Sequence, residues 1–121
     1  MKTAIITGAS KGIGAVIAKR LNELNYNLVL NYRSNTVSME ELIDNFTNKD
    51  TKNIIVKCDI SVYEDAKKLI DEAYNNFDTV DVLINNAGIS YIGLLQDMTP
   101  AEWNNVIATN LSSVFYMSKH A

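Results

Sequence analysis

Residues 7–14, TGASKGIG, constrain this chain more than any other segment. They follow a short apolar run, Ala4-Ile5-Ile6, and lead into a stretch with helical apolar spacing. A glycine-rich turn between a strand and a helix is a place to hold phosphate. The first N–H groups of a helix lack intrahelical partners, and the helix dipole favours negative charge beside them. In this turn Gly8 permits a tight reversal, Gly12 lets backbone approach a pyrophosphate, and Gly14 lets the helix pack closely on its strand. The spacing is Gly-x-x-x-Gly-x-Gly, which differs from the common Gly-x-Gly-x-x-Gly dinucleotide fingerprint.

Beyond the turn, apolar runs alternate with helical periods, which predicts the order βαβαβαβα. Residues 2–7, 27–31, 53–57 and 80–84 read as short apolar strands. Ile13, Val16, Ile17, Leu21 and Leu24 recur at helical steps and predict a first helix with that face inward. Met39, Leu42, Ile43 and Phe46 mark a second helix, with Ser38 and Glu41 at capping-box spacing. Ser61 and Glu64 repeat that spacing before a third helix whose inward residues are Ala66, Leu69, Ile70, Ala73 and Phe77. Thr99-Pro100-Ala101-Glu102 combines an N-cap, a proline at the first helical position and an acid in the first turn. It opens a long helix with Trp103, Val106, Ile107, Asn110 and Val114 along one side. Continuous apolar strands alternating with helices imply an α/β fold, a parallel sheet covered on both faces. With right-handed crossovers and a phosphate turn after the first strand, the expected architecture is a Rossmann-type doubly wound sheet in strand order 3-2-1-4.

At 121 residues the chain supports one domain with a small core. Its net charge of -3 gives no electrostatic footprint for nucleic acid or an anionic membrane. No apolar stretch approaches the roughly 20 residues that a membrane-spanning helix needs. The N-terminal apolar run is too brief for a secretory signal. Cys58, the single cysteine, has no partner for an internal disulfide, which fits a reducing, cytoplasmic setting. With no base evident beside it, Cys58 reads as a small buried apolar residue and not as a nucleophile. His120 is a lone histidine, so neither a metal site nor a catalytic triad is expected.

A second motif narrows the reading. Asn85-Asn86-Ala87-Gly88 directly follows the fourth strand, and Asn110 lies midway along the next helix. TGxxxGxG with NNAG at this spacing resembles the classical short-chain dehydrogenase/reductases, over the whole chain. Residues 102–119, EWNNVIATNLSSVFYMSK, are most similar to the 3-oxoacyl-(acyl-carrier-protein) reductases of fatty acid biosynthesis. The resemblance implies an oxidoreductase passing a hydride between a nicotinamide dinucleotide and a carbonyl, a 3-oxoacyl thioester that is small or carrier-bound. It places Ser10, Lys11, Gly12, Ile13 and Gly14 around the pyrophosphate and adenosine ribose. It sets Asp59 on the adenine amino group with the Ile60 backbone beside it, and Asn86, Ala87 and Gly88 along the ribose region. Asn85 is expected to tie neighbouring strands together instead of touching ligand. An acid after the second strand binds the 2′-hydroxyl of NAD, whereas a basic residue there accommodates the 2′-phosphate of NADP. Here the second strand ends Asn31-Tyr32-Arg33 without an acid, and Lys11 adds a second cation. That pair resembles the family's NADP(H)-preferring pattern, with NAD(H) the alternative.

The family's chemistry also needs a serine that polarises the carbonyl and a Tyr-x-x-x-Lys pair on one helical face. In relatives these come after a fifth strand. Of the catalytic set only Asn110, which in relatives kinks its helix and holds a proton-relay water, falls within these residues. Tyr116 and Lys119 are three apart, not four, and with Ser112 and Ser113 they read as helix-surface or interface residues. Tyr91 reads as a loop aromatic. The expectation is that residues 1–121 are the N-terminal dinucleotide-binding part of a single domain whose relatives run to roughly twice this length. Such a part would be inactive alone, with an exposed fourth strand and an under-packed last helix that favour a homo-oligomer. The alternatives to a reductase are a nucleotide-binding fragment and a structural remnant without activity.

Overall fold

The computed structural model describes residues 1–34 and 37–121. Four strands, β1 (Thr3–Ile6), β2 (Asn27–Tyr32), β3 (Asn53–Lys57) and β4 (Val82–Ile84), alternate with helices α1 (Gly12–Glu23), α2 (Val37–Asp44) and α3 (Tyr63–Asn76). After β4 the chain passes a 3-10 turn, Leu95–Asp97, into α4 (Pro100–Ile107), a π turn (Ala108–Ser112) and α5 (Ser113–His120). Every strand pair is parallel and the order is β3-β2-β1-β4, as the alternation in the sequence predicts.

Successive strand residues point to opposite faces, so each face of the sheet gathers its own core. Ile5 and Val29 face α3 and α5, packing with Ala66, Leu69, Ile70, Ala73, Phe77 and Met117. Ala4, Ile6, Leu28 and Leu30 face the other way, onto Ala18 of α1 and onto Met39 and Phe46. Both faces are covered, which is why these strands are apolar at consecutive positions and show no alternation.

Several local expectations change. The inward side of α1 is Gly14, Ala18 and Asn22, flanked by half-buried Ile17 and Leu21. Ile13, Val16 and Leu24 lie roughly 120–160° around the helix from Ala18, and all three are exposed. Small residues let the helix sit close to the sheet, so the larger side chains are pushed to the flanks. Ser61 does not cap α3: the cap position is Val62, without a side-chain bond, and the Ser61 hydroxyl bonds Asp59 instead. Ser38 lies within α2, and the position before that helix falls outside the described residues. The Thr99 box is present, with Thr99 Oγ1 accepting from the Glu102 N–H and Glu102 Oε1 from the Thr99 N–H.

In the last helix the buried seam is Thr109, Ser113 and Met117, while Trp103 and Val114 are exposed. The π turn adds a residue to one turn and so rotates α5 relative to α4, which moves the seam off the expected stripe. Ser113 is therefore buried and not at the surface; its hydroxyl donates to the Thr109 carbonyl. His120 and Tyr116 also have neighbours, stacking edge-on against Tyr63 with ring centroids 4.6 and 5.1 Å away.

Candidate functional site

A cleft of about 490 Å³ opens at the C-terminal ends of the strands. The ends of all four strands and the π turn supply its walls. The turn after β1 contributes Gly8, Ser10, Lys11 and Gly12; the ends of β2 and β3 contribute Asn31, Tyr32, Arg33, Cys58, Asp59 and Ile60. The segment after β4 adds Asn86, Ala87, Gly88 and Ile89, and Thr109 closes the back.

The turn after β1 is held by side chains on both flanks. Gly8 has φ +61°, a conformation that favours glycine, and a Cβ there would stand 2.8 Å from Ala87 Cα. Thr7, fully buried, accepts the Asn86 and Ala87 N–H groups on Oγ1, each at 3.0 Å. Asn86 returns two bonds, from Nδ2 to the carbonyls of Thr7 and Gly8 at 3.1 and 3.0 Å. On the other flank the Gly8 N–H donates to Asn31 Oδ1 at 3.3 Å.

The start of α1 faces the cleft without a cap of its own. Lys11 at the cap position makes no side-chain bond to the helix, and the first turn contains no acid. Gly12 has φ +60°, and the space its missing Cβ leaves is open to 4 Å. A helix start with uncapped N–H groups, beside backbone that nothing shields, is suited to an oxyanion.

Charge at the mouth comes from two strand ends. Arg33 Nε lies 3.7 Å from Asp59 Oδ2 across the gap between β2 and β3. Burial pushes the Asp59 carboxyl up, but bonds from the Ser61 hydroxyl and N–H, with the Arg33 charge, outweigh it and hold the group below its ordinary 3.8. Beside it Cys58 goes the other way: burial, then the charges of Asp65 and Asp59, push its thiol to about 11. A thiol so disfavoured as thiolate is a poor nucleophile, in line with its apolar reading.

Asn110 sits inside the π turn, which aims its amide at the segment after β4. Its Oδ1 accepts the Ile89 N–H at 2.8 Å and its Nδ2 donates to the Ile89 carbonyl at 2.7 Å. The amide thus grips both backbone groups of one residue and fixes the wall beyond Gly88.

These residues match the short-chain dehydrogenase family model over residues 2–121. The chain belongs to the short-chain dehydrogenase family. It is 39% identical over 114 residues to the 3-oxoacyl-(acyl-carrier-protein) reductase FabG of Staphylococcus epidermidis, covering 94% of this chain and 47% of that protein. Glucose 1-dehydrogenase 2 of Bacillus subtilis is 36% identical over 99% of this chain and 47% of its own length. Among solved structures, a short-chain dehydrogenase from Burkholderia cenocepacia in complex with NADP superposes with a TM-score of 0.94 at 28% identity, over 99% of this chain and 49% of that one. This short-chain dehydrogenase chain spans about half the length of the curated relatives it matches.

Of the residues that the motifs nominate, Gly8, Ser10, Lys11, Gly12, Arg33, Asp59, Ile60, Asn86, Ala87 and Gly88 converge on the cleft. Ile13 and Gly14 do not line it. Ile13 is exposed on the far side of α1, and Gly14 packs under the turn, where a Cβ would meet Asn86 Nδ2 at 2.5 Å. Asn85 reaches α5, donating to Ser118 Oγ at 3.4 Å, and it is Asn86 that joins the strand ends. Sequence reasoning passed over Thr7 and Asn31 as site residues. Each is a polar residue at the C-terminal end of a buried apolar run, and that placement is the signal that marks them.

Proposed function

We propose that this chain is the dinucleotide-binding part of a single short-chain dehydrogenase domain, that its cleft holds NADP(H) in preference to NAD(H), and that the whole protein reduces a carbonyl, a 3-oxoacyl thioester. The observation that carries the cofactor reading is the cleft itself: an uncapped helix start and open backbone at Gly12, with Lys11 and Arg33 on the lip. The donors fit an anionic dinucleotide. Ser10, Lys11 and Gly12 would hold the pyrophosphate by N–H groups and charge. Arg33, which meets Asp59 through Nε, would take the 2′-phosphate by its guanidinium fork. Asp59 and Ile60 would flank the adenine, and Asn86, Ala87 and Gly88 the ribose. The reduced nicotinamide supplies the hydride. Asn110 would keep the wall beyond Gly88 in place through Ile89. The substrate class rests on the likeness to the 3-oxoacyl reductase.

Titrating the chain with NADPH and NADH by calorimetry tests the cofactor reading. NADPH is expected to bind at least tenfold more tightly, with Arg33→Ala removing that margin, because a charge-assisted bond to phosphate contributes about 1.5–3 kcal/mol. Equal affinities refute the preference, and no heat with either refutes nucleotide binding. Because residues 1–121 carry Asn110 without the family's serine and Tyr-x-x-x-Lys, a ketoreductase assay on them should stay at background. Robust turnover would overturn that assignment of the chemistry.

A further inference from the structure

Asn31 is the penultimate residue of β2, is almost fully buried, and has bonds on both sides of the cleft. Toward the phosphate turn, its Oδ1 accepts the Gly8 N–H at 3.3 Å and its own backbone carbonyl accepts the Ala9 N–H at 2.9 Å. Toward the opposite wall, its Nδ2 donates to the carbonyls of Val56 and Cys58 at 3.3 and 3.2 Å. The orientation of the amide follows from its partners, since an N–H can only donate and a carbonyl can only accept. One rigid, two-torsion side chain therefore joins the backbone that precedes Ser10 to the backbone that precedes Asp59.

We propose that Asn31 is a positioning residue that sets the distance between the phosphate turn and the base wall, so that a ligand spanning both is bound as one piece. The proposal rests on the cofactor reading above. Asn31 does not enter the ligand's own bonds. Its effect is to make the gap fixed before binding, so that a two-ended ligand does not have to hold the loops together at its own expense. Asparagine is suited to this because it offers a donor and an acceptor about one carbon apart. Aspartate has the same shape but only accepts when ionised, and would set a second oxygen against two carbonyl oxygens.

The test compares a ligand that touches one wall with a ligand that spans both. Adenine, the base without its ribose, reaches only the wall at Asp59 and Ile60, whereas NADP⁺ also reaches the turn. In Asn31→Asp and Asn31→Ala, NADP⁺ affinity is expected to fall at least tenfold while that of adenine, followed by NMR shift titration, stays within about twofold. A residue serving stability alone would leave both affinities unchanged in the folded fraction, and a residue of the base wall would lower both alike. Either result overturns the proposal. If both variants fail to fold, hydrogen exchange on the ligand-free wild-type chain decides: with the gap fixed before binding, the Gly8 N–H held by Asn31 should be protected like the amides of β2, and exchange as fast as an unstructured amide refutes the proposal. Failure of wild type to bind NADP⁺ at all would instead sink the cofactor reading.

Discussion

Gly14 and Gly12 stand two residues apart in one turn, and alanine is expected to act on them in opposite ways. A Cβ at Gly14 falls 2.5 Å from Asn86 Nδ2 and 2.6 Å from the Gly8 carbonyl oxygen, with Ala9 Cα at 3.2 Å. The first neighbour is the donor that holds the Thr7 and Gly8 carbonyls, so making room breaks those two bonds. The second is backbone and has nowhere to go. Overpacking of this kind costs about 1–3 kcal/mol, and each lost bond about 0.5–1.5 kcal/mol. Alanine in a helix returns about 1 kcal/mol relative to glycine. The net expectation for Gly14→Ala is a loss of about 3 kcal/mol. At Gly12 no atom lies within 4 Å of the added carbon, and only the φ of +60° is strained. Gly12→Ala should therefore cost about 1–2 kcal/mol.

Urea unfolding followed by circular dichroism measures both. With a slope of about 1–2 kcal/mol/M, the Gly14→Ala midpoint should fall by roughly 2 M, clearly further than that of Gly12→Ala. NADP⁺ binding should rank them the other way at equal folded fraction. The Gly12 methyl enters the open side of the cleft and is expected to weaken binding at least tenfold. Asn86→Ala should cost less in the Gly14→Ala background than in wild type, because the clashing amide is already displaced. A Gly14→Ala variant within about 0.5 kcal/mol of wild type, or one less damaged than Gly12→Ala, would refute the reasoning.

Two further perturbations check the network around the turn. Thr7→Val keeps the shape but leaves the Ala87 N–H without its acceptor, while the Asn86 N–H keeps its bond to the Ile84 carbonyl, and urea unfolding should show a loss of about 1–2 kcal/mol; a neutral substitution would show that water replaces the hydroxyl. For Asp59, a folded-state carboxyl held below its ordinary 3.8 contributes stability at higher pH, and that contribution is lost as pH falls through the folded value. The stability gap between wild type and Asp59→Asn should therefore close on going from neutral pH to below 3.8, measured by urea midpoints, and a gap that stays constant contradicts the bonds from Ser61 and Arg33.

The strand order and the two-sided core were legible because they depend on coarse periodicity. Four apolar runs separated by helical periods leave few topologies, and the order β3-β2-β1-β4 is one of them. Helix faces were less legible. On α1 the stripe through Ile13, Val16 and Leu24 is apolar yet exposed, because close packing on the sheet selects Gly14 and Ala18 and hydropathy does not weigh size. On the last helix a π turn shifts the phase, and nothing in the apolar pattern announces the extra residue. Ser61 lost its cap role to a competing acceptor: Asp59, two residues earlier, already takes its hydroxyl and N–H. In the site, motif residues were found by their spacing, while Thr7 and Asn31 required knowing which backbone groups run out of partners.

That last point explains how the cleft is built. Parallel strands stop pairing at their C-terminal ends, and backbone groups there lose the ladder while still lying near the core. The N–H groups of Gly8, Asn86 and Ala87 and the carbonyl of Cys58 are of this kind, and each is met by a short polar side chain, from Thr7 or Asn31. The same ends that open space for a ligand are thus where threonine and asparagine are needed, and these bonds make the walls firm before any ligand arrives. The surface after β4 is built differently. Among the described residues, Ile92, Leu94, Leu95, Trp103, Leu111 and Phe115 are large, apolar and exposed there, and the cleft leans on that region chiefly through Asn110 and Thr109. The bonds that order the cleft thus lie within residues 1–89, joined from beyond by Asn110 through Ile89 and by Thr109 in the lining. The nucleotide binding proposed above can accordingly be tested apart from turnover.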